Sequence, residues 1–217
     1  MSEDDKGALE PVSYTPIGSE VEILLDAREM CEHLSPKGHH SRQPTRREVK
    51  QMFGLCASRL LDPYAGDVYW IFDNGRLQPC VTYHALAVRA DLHEDFQGIR
   101  SGLITTLKDS NTGLLDYTEG SIYIEEHYRI VGAWANGYRK SWKKPRKISM
   151  RLASRIQDTM FWKKDPGGMI IKCCEAALYR AMFPSVCGGC YIRSEMFTSK
   201  PNAPIGVSKK KSELINV

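Results

Sequence analysis

Apolar and polar positions along this chain change period several times, and each change marks an element. Val21, Ile23 and Leu25 alternate with Glu22 and Leu24 as in a short strand, and the residues up to about Leu34 then read as helical. Thr45-Arg-Arg-Glu48 has capping-box spacing: the Thr45 hydroxyl can accept from the third helical amide while Glu48 reaches back. Val49, Met52, Phe53, Cys56 and Leu60 follow at helical spacing until Pro63 closes the segment. Residues 68–72 and 77–81, joined through Asn74-Gly75, predict a β-hairpin, and residues 82–92 a helix with Leu86 and Ala90 on one face. Residues 102–107 and 114–117, around a polar turn at 108–113, predict a second hairpin. Residues 121–134 predict a longer strand with Ile122 and Ile124 on one face and Tyr123, Glu125, His127 and Arg129 on the other. After a basic loop at 137–147, residues 148–156 fit a helix or a strand. Asp165 suits an N-cap and Pro166 the first helical position of a helix that runs to Met182, where Pro184 stops it.

This order, helix, hairpin, helix, strands, helix, predicts an α+β fold: a small antiparallel sheet and hairpins packed with helices. The expected organisation is one core over residues 20–197, between a flexible acidic tail at 1–19 and a flexible tail at 198–217 that contains Lys209-Lys-Lys211. No internal repeat is visible. With 42% hydrophobic residues in 217, the chain can fill a core, which excludes wholesale disorder. No apolar run approaches the roughly 18 residues of a membrane span, and the acidic start is unlike a signal peptide. Seven cysteines, an odd number, do not form a disulfide framework, so free thiols in a reducing cytoplasm are expected.

The formal net charge of +4 conceals a strong asymmetry. Residues 1–35 hold nine acids against Lys6 and Arg28, whereas residues 128–180 hold thirteen Lys and Arg against Asp158, Asp165 and Glu175. A basic block inside folded sequence points to a polyanion. An acidic end and a basic block also permit head-to-tail contact between copies, which closes into a ring or runs on as a filament. Aromatics are interleaved with the cations: Tyr128, Trp134, Tyr138, Trp142, Phe161 and Trp162. Cations hold phosphates and rings stack on exposed bases, a combination suited to single strands. Trp134, at a strand end, fits the core as well as a contact. On the last helix, Lys172 and Tyr179 fall within about 20° of each other and Arg180 about 80° further round. Gly167-Gly168 at its start would leave amides open to an anion, and no acid but Glu175 stands near either cation in sequence.

Other constellations carry less. Gly188-Gly189 and Gly167-Gly168 lack the pattern of a phosphate-binding loop, so ATP-driven chemistry has no support. Glu125-Glu126-His127 raises a metal-dependent nuclease as the competing function, but on a strand the two glutamates would point to opposite faces. Cys187-Gly-Gly-Cys190 after Cys173-Cys174 raises a zinc site, but adjacent helical cysteines diverge by about 100°. His39-His40 lies in a polar loop without companion ligands. No metal and no cofactor are expected.

One set of motifs is more specific. Met169-Ile-Ile-Lys172-Cys-Cys-Glu175-Ala-Ala-Leu-Tyr-Arg180-Ala-Met-Phe183-Pro184, with Gly188-Gly-Cys-Tyr191 and Glu195-Met196, resembles the hallmark segment of the RecT/Bet family of phage single-strand annealing proteins. Phe53-Gly-Leu-Cys56, Leu61-Asp-Pro63, Gly66-Asp-Val-Tyr69, Pro79-Cys-Val81, Phe96-Gln-Gly98 and Gly132-Ala-Trp134-Ala135 agree in the same order. The resemblance implies a protein that binds single-stranded DNA in a basic groove, forms rings or helical filaments, and anneals complementary strands without ATP or bond-making chemistry. It implies a phage exonuclease as partner, in the cytoplasm of a bacterial host. It leaves contact with host single-strand binding protein open, because the signature lies so near the end of the sequence. DNA contact carries over to Lys172 and Arg180. Arg129, Arg139, Lys140, Lys143, Lys144 and Trp134 join them from charge, aromaticity and position.

Overall fold

The computed structural model describes residues 9–33, 42–73, 75–109 and 113–196; the readings made for His39-His40, Asn74, residues 1–8 and the lysine tail concern residues outside this set. The chain opens with an antiparallel pair, β1 (Val12–Tyr14) and β2 (Ile23–Leu25), followed by α1 (Ala27–His33). The expectation of a loose segment up to residue 19 therefore fails over residues 12–14. Val12 and Tyr14 pack on the core, and the Tyr14 hydroxyl donates to the Leu61 carbonyl, anchors invisible in a short polar sequence.

Helix α2 (Arg46–Arg59) starts at the expected capping box. The Thr45 hydroxyl accepts the Glu48 amide at 3.3 Å, and the Glu48 carboxylate accepts the Thr45 amide at 2.8 Å. Arg42 donates to both Glu48 oxygens, at 2.7 and 2.6 Å. Chiefly through Arg42, the Glu48 carboxyl is held at about 2, below its usual 4.5. The helix ends in left-handed Leu60, φ 49°, a conformation that costs a side-chain-bearing residue about 1–2 kcal/mol. Its carbonyl accepts the Arg89 guanidinium at 2.8 Å and the Ile17 amide at 3.0 Å, which hold it there. The hairpin of β3 (Val68–Asp73) and β4 (Arg76–Val81) and helix α3 (Tyr83–Asp91), capped by Thr82, fall where the pattern placed them.

The second half is a four-stranded antiparallel sheet, β5 (Phe96–Leu107), β6 (Asp116–Glu119), β7 (Tyr128–Arg139) and β8 (Arg146–Arg151), in the order β6-β5-β7-β8. A 3-10 turn (Leu152–Ser154), α4 (Met160–Lys164), α5 (Pro166–Met182), α6 (Pro184–Cys187) and a 3-10 turn (Arg193–Glu195) complete it. Residues 121–127 are not strand, contrary to the alternation. β6 and β7 both run antiparallel to β5 on its opposite sides, so they are mutually parallel and the link between them must cross β5. The crossing turns tightly, with the His127 and Tyr128 amides donating to the Ile124 carbonyl at 3.2 and 3.0 Å, and Ile122 is left 90% exposed. The basic loop narrows to residues 140–145, and residues 148–156 resolve into the end of β8 and a 3-10 turn.

Helix α5 lies across one face of the sheet. Ser101 and Leu103 in β5, Ile130, Ala133, Ala135 and Gly137 in β7, and Ile148 and Met150 in β8 point toward it. Burial of Ile170, Ile171, Cys174, Leu178 and Met182 on that contact is the main core of this half. Its N-cap is Asp165, as the sequence predicts.

The N-cap of α2 provides a direct test. Thr45→Ala should lower stability by about 1 kcal/mol in urea denaturation. The folded-state pKa of Glu48 is depressed, so its contribution is complete above about pH 4.5 and is lost as pH falls toward 2. Glu48→Gln should remove that component from the acid side of the stability profile.

Candidate nucleic-acid interface

With one face of the sheet under α5, strand alternation sends a second set of side chains to the other face, where Tyr117, Arg129, Lys147 and Arg151 are exposed while Ile104 and Thr106 are buried. Directly paired residues share a face, and the register sorts this set into rows. Arg100 pairs with Asn136 and Asn136 with Lys147; Gly102 pairs with Trp134 and Trp134 with Ser149; Ile104 pairs with Tyr117 and Gly132, and Gly132 with Arg151. Beyond a register shift after Ile104, Thr106 pairs with Arg129. Successive rows stand about 6.6–6.8 Å apart along the strands. By alternation Tyr138 belongs to the same face. Cations and aromatic rings thus repeat across it.

Two glycines shape the surface. A Cβ on Gly102 would stand 1.8 Å from the Thr118 carbonyl oxygen, and one on Gly132 2.0 Å from that of Met150. Both outer strands therefore fold toward the face away from α5, and only glycine admits their backbones so closely. The Trp134 indole crosses β5 at Gly102 and donates its N–H to the Thr118 carbonyl at 3.1 Å. Trp134 is half-buried on the face away from α5 rather than in the α5 core, and it ties β7 to β6.

Of the expected contact residues, the structure brings Arg129 and Trp134 onto this face. It places Lys140 at its end and Lys143 and Lys144 in the β7–β8 loop. Arg129 and these three lysines are exposed and make no ion pair among the described residues. Arg139 stands apart: its guanidinium bonds Asp95 at 2.6 Å and the Met182 carbonyl at 2.8 Å and stacks on Trp142 and Phe183. Hydrogen bonds from Ser141, with the help of Arg139, hold Asp95 at about 2. Arg180 is likewise engaged, in a two-pronged ion pair with Glu195, a bond to the Cys190 carbonyl at 3.1 Å and a stack on Tyr191. The expectation that Glu175 is its sole acidic neighbour fails, because Glu195 arrives through a loop. Glu175 instead accepts the Tyr83 and Ser101 hydroxyls.

Lys172 is exposed on α5, on the opposite side of the sheet from the rows. Tyr179, nearly in line with it, is only 5% exposed, because Tyr83 and Phe96 cover the C-terminal half of the helix. Nor are the first amides of α5 open to an anion. The Gly168 N–H donates to the Asp165 carboxylate at 2.7 Å, and Gly167 packs against Leu103 and Ile130. Sequence reasoning did not single out Lys147 and Arg151, which the structure adds to this face as exposed cations, nor Arg100, which is paired there with Glu119 at 2.6 Å. Residues 147–151 alternate cation or serine with Ile148 and Met150, a signal that a commitment to strand would have exposed.

Among the described residues, no group of three or more His, Cys, Asp or Glu is placed to hold a metal. Glu125 and Glu126 sit in the crossing turn, so the argument from opposite strand faces does not apply to them. The cysteines are free, and burial pushes Cys174 up to about 12 and Cys187 to about 11, far from thiolate. No helix among the described residues is long and apolar enough to cross a membrane. In comparison with known proteins, residues 36–207 match the RecT family. No curated protein matches.

Removing Arg180 tests its place. Arg180→Met leaves Glu195, whose side chain is 4% exposed, without its counter-charge, and should cost about 3 kcal/mol in urea denaturation. A variant of unchanged stability that has lost DNA binding would instead make Arg180 a contact.

Proposed function

The chain belongs to the RecT family, a family of single-strand annealing proteins of phage-type recombination, and from that membership we propose that it anneals complementary strands without ATP, as a self-associated assembly. The observation that carries the reading is the sheet face on which Arg129, Lys147 and Arg151 are exposed without an ion pair among the described residues, beside aromatic rings; Arg100 on the same face is paired with Glu119 at 2.6 Å. Lys147, Arg151 and Arg129 neutralise phosphates along the rows, with Lys140, Lys143 and Lys144 continuing the track into the loop. Tyr117 and Tyr138 offer ring surface to unstacked bases. A strand held by its backbone keeps its pairing edges outward, where a complement can test them. No bond is made or broken, so no catalytic group is needed. Resected ends would come from a phage exonuclease in the cytoplasm of a bacterial host. Lys172, across the sheet, adds a phosphate contact from a second direction.

Two complementary labelled oligonucleotides mixed with the protein, without nucleotide, should pair faster than the protein-free control. Pairing at the control rate, or only with ATP hydrolysis, defeats the proposal; shortening of the label in Mg²⁺ would point to a nuclease. Lys147→Ala and Arg151→Ala should each weaken binding to all sequences alike. Each should also flatten the slope of log affinity against log salt by about 0.7, the value for one single-strand phosphate. Lys172→Ala should do the same if it meets the strand, and an unchanged slope removes it from the track.

A further inference from the structure

The crossing turn at residues 121–127 leaves a cleft of about 470 Å³ over the strands that it passes, within the size range of small-ligand sites. The floor of the cleft belongs to the helix-bearing side of the sheet. Leu103 and Ile130 face Gly167 of α5, and residues paired with them share that side: Thr118 with Leu103, then Thr105 with Ile130 and Asp116 with Thr105. The floor therefore lies behind the face proposed to meet DNA. Tyr123 and Tyr128 line the walls, and Tyr117 joins them from the edge strand β6. Ile122 and Ile124, in the same lining, are 90% and 56% exposed. Large apolar side chains left bare around a cleft mark a place for a ligand.

The polar groups decide its class. Asp116 puts an exposed carboxylate into the lining and makes no ion pair among the described residues. The Thr118 hydroxyl is buried without a hydrogen-bond partner, a costly state that a ligand N–H would relieve. Burial, then Glu125 and then Asp165 raise the Tyr123 hydroxyl above its usual 10, and no cation opposes them. Two neighbouring cations are engaged: Lys108 donates to the Glu125 carbonyl, and Arg100 pairs with Glu119 at 2.6 Å. Such surroundings repel phosphate. A carboxylate beside the negative faces of tyrosine rings attracts an organic cation instead.

We propose that this cleft binds an alkylammonium group, its nitrogen between the Asp116 carboxylate and the tyrosine rings and its methylenes on Ile122 and Ile124. Mg²⁺ is the wrong cation for it, since that ion needs a full set of oxygen ligands and gives up its waters reluctantly. Two sources carry the alkylammonium chemistry: a free polyamine, and Lys209-Lys-Lys211 of this chain. Residue 209 stands 13 positions beyond residue 196, a separation that spans roughly 43 Å when extended.

Calorimetric titration of spermidine into the full chain, at constant ionic strength, tests the site. One spermidine should bind per chain, and Mg²⁺ should not displace it. Asp116→Asn should weaken binding about tenfold. Tyr128→Leu, which keeps apolar bulk but removes the ring, should weaken it about fivefold; circular dichroism should show both variants folded. Lys209→Gln, Lys210→Gln and Lys211→Gln combined in one chain identify the source. Unchanged affinity in that triple variant assigns the cleft to a free polyamine, and tighter binding than in the parent assigns it to the chain's own lysines. Absence of binding in both parent and triple variant overturns the site. So does displacement by Mg²⁺, or an affinity that either Asp116→Asn or Tyr128→Leu leaves unmoved. Deoxyadenosine monophosphate bound in place of spermidine, and bound more tightly by Asp116→Asn, overturns it as well and makes the cleft a base pocket.

Discussion

Helix α5 meets the sheet where a side chain would not fit. A Cβ on Gly137 would stand 2.0 Å from Met182 Sδ, whereas one on Gly167 would only touch Leu103 and Ile130 at an ordinary 3.4 Å. That close approach buries the apolar side of α5 against the middle of β7, and the rest of the molecule is arranged around it. One face of the sheet is consumed, so alternation commits every other residue of β5, β7 and β8 to the opposite face. The outward side of α5 in turn receives α3 through Tyr83, Tyr179 and Phe96, which attaches the N-terminal half. The cation-bearing surface thus follows from where the helix had to go.

Charge in the sequence and charge on the surface are different quantities here. Arg89, Arg139 and Arg180 all turn inward, where they donate to the carbonyls of Leu60, Met182 and Cys190. Each ties together segments far apart in the chain, and a guanidinium with five donors suits that work better than an ammonium. The lysines of the same basic block stay outside. A count of positive residues therefore overstates the positive charge that the surface presents.

What could be read beforehand was mostly local. The Thr45 and Asp165 caps, the β3–β4 hairpin and the apolar side of α5 depend on residues within a turn or two of one another, and their patterns are complete in the sequence. What could not be read depends on distant partners. Asp95 lies 44 residues from Arg139, and Glu195 reaches Arg180 by way of a loop. The break at residues 121–127 is topological: their alternation is genuine, but the strand order requires the chain to cross there. Arg129 and Trp134 lie on the face away from α5 as strand residues should, whereas Lys147 falls in the expected basic loop and Arg151 in a stretch that fits a helix or a strand, so neither stands out.

β8 ends the sheet, and among the described residues nothing pairs with its outer side. An unpaired strand edge is a template onto which any extended chain can add, and cations along it are a common guard against such addition. Arg146, Lys147 and Arg151 stand on that edge. They would be retained under selection against aggregation even in a copy that never met DNA, and a neutral, β-prone replacement would expose the cell to sticky sheets before it impaired any recombination. The side chains that guard the edge are thus in part the ones proposed above to meet DNA.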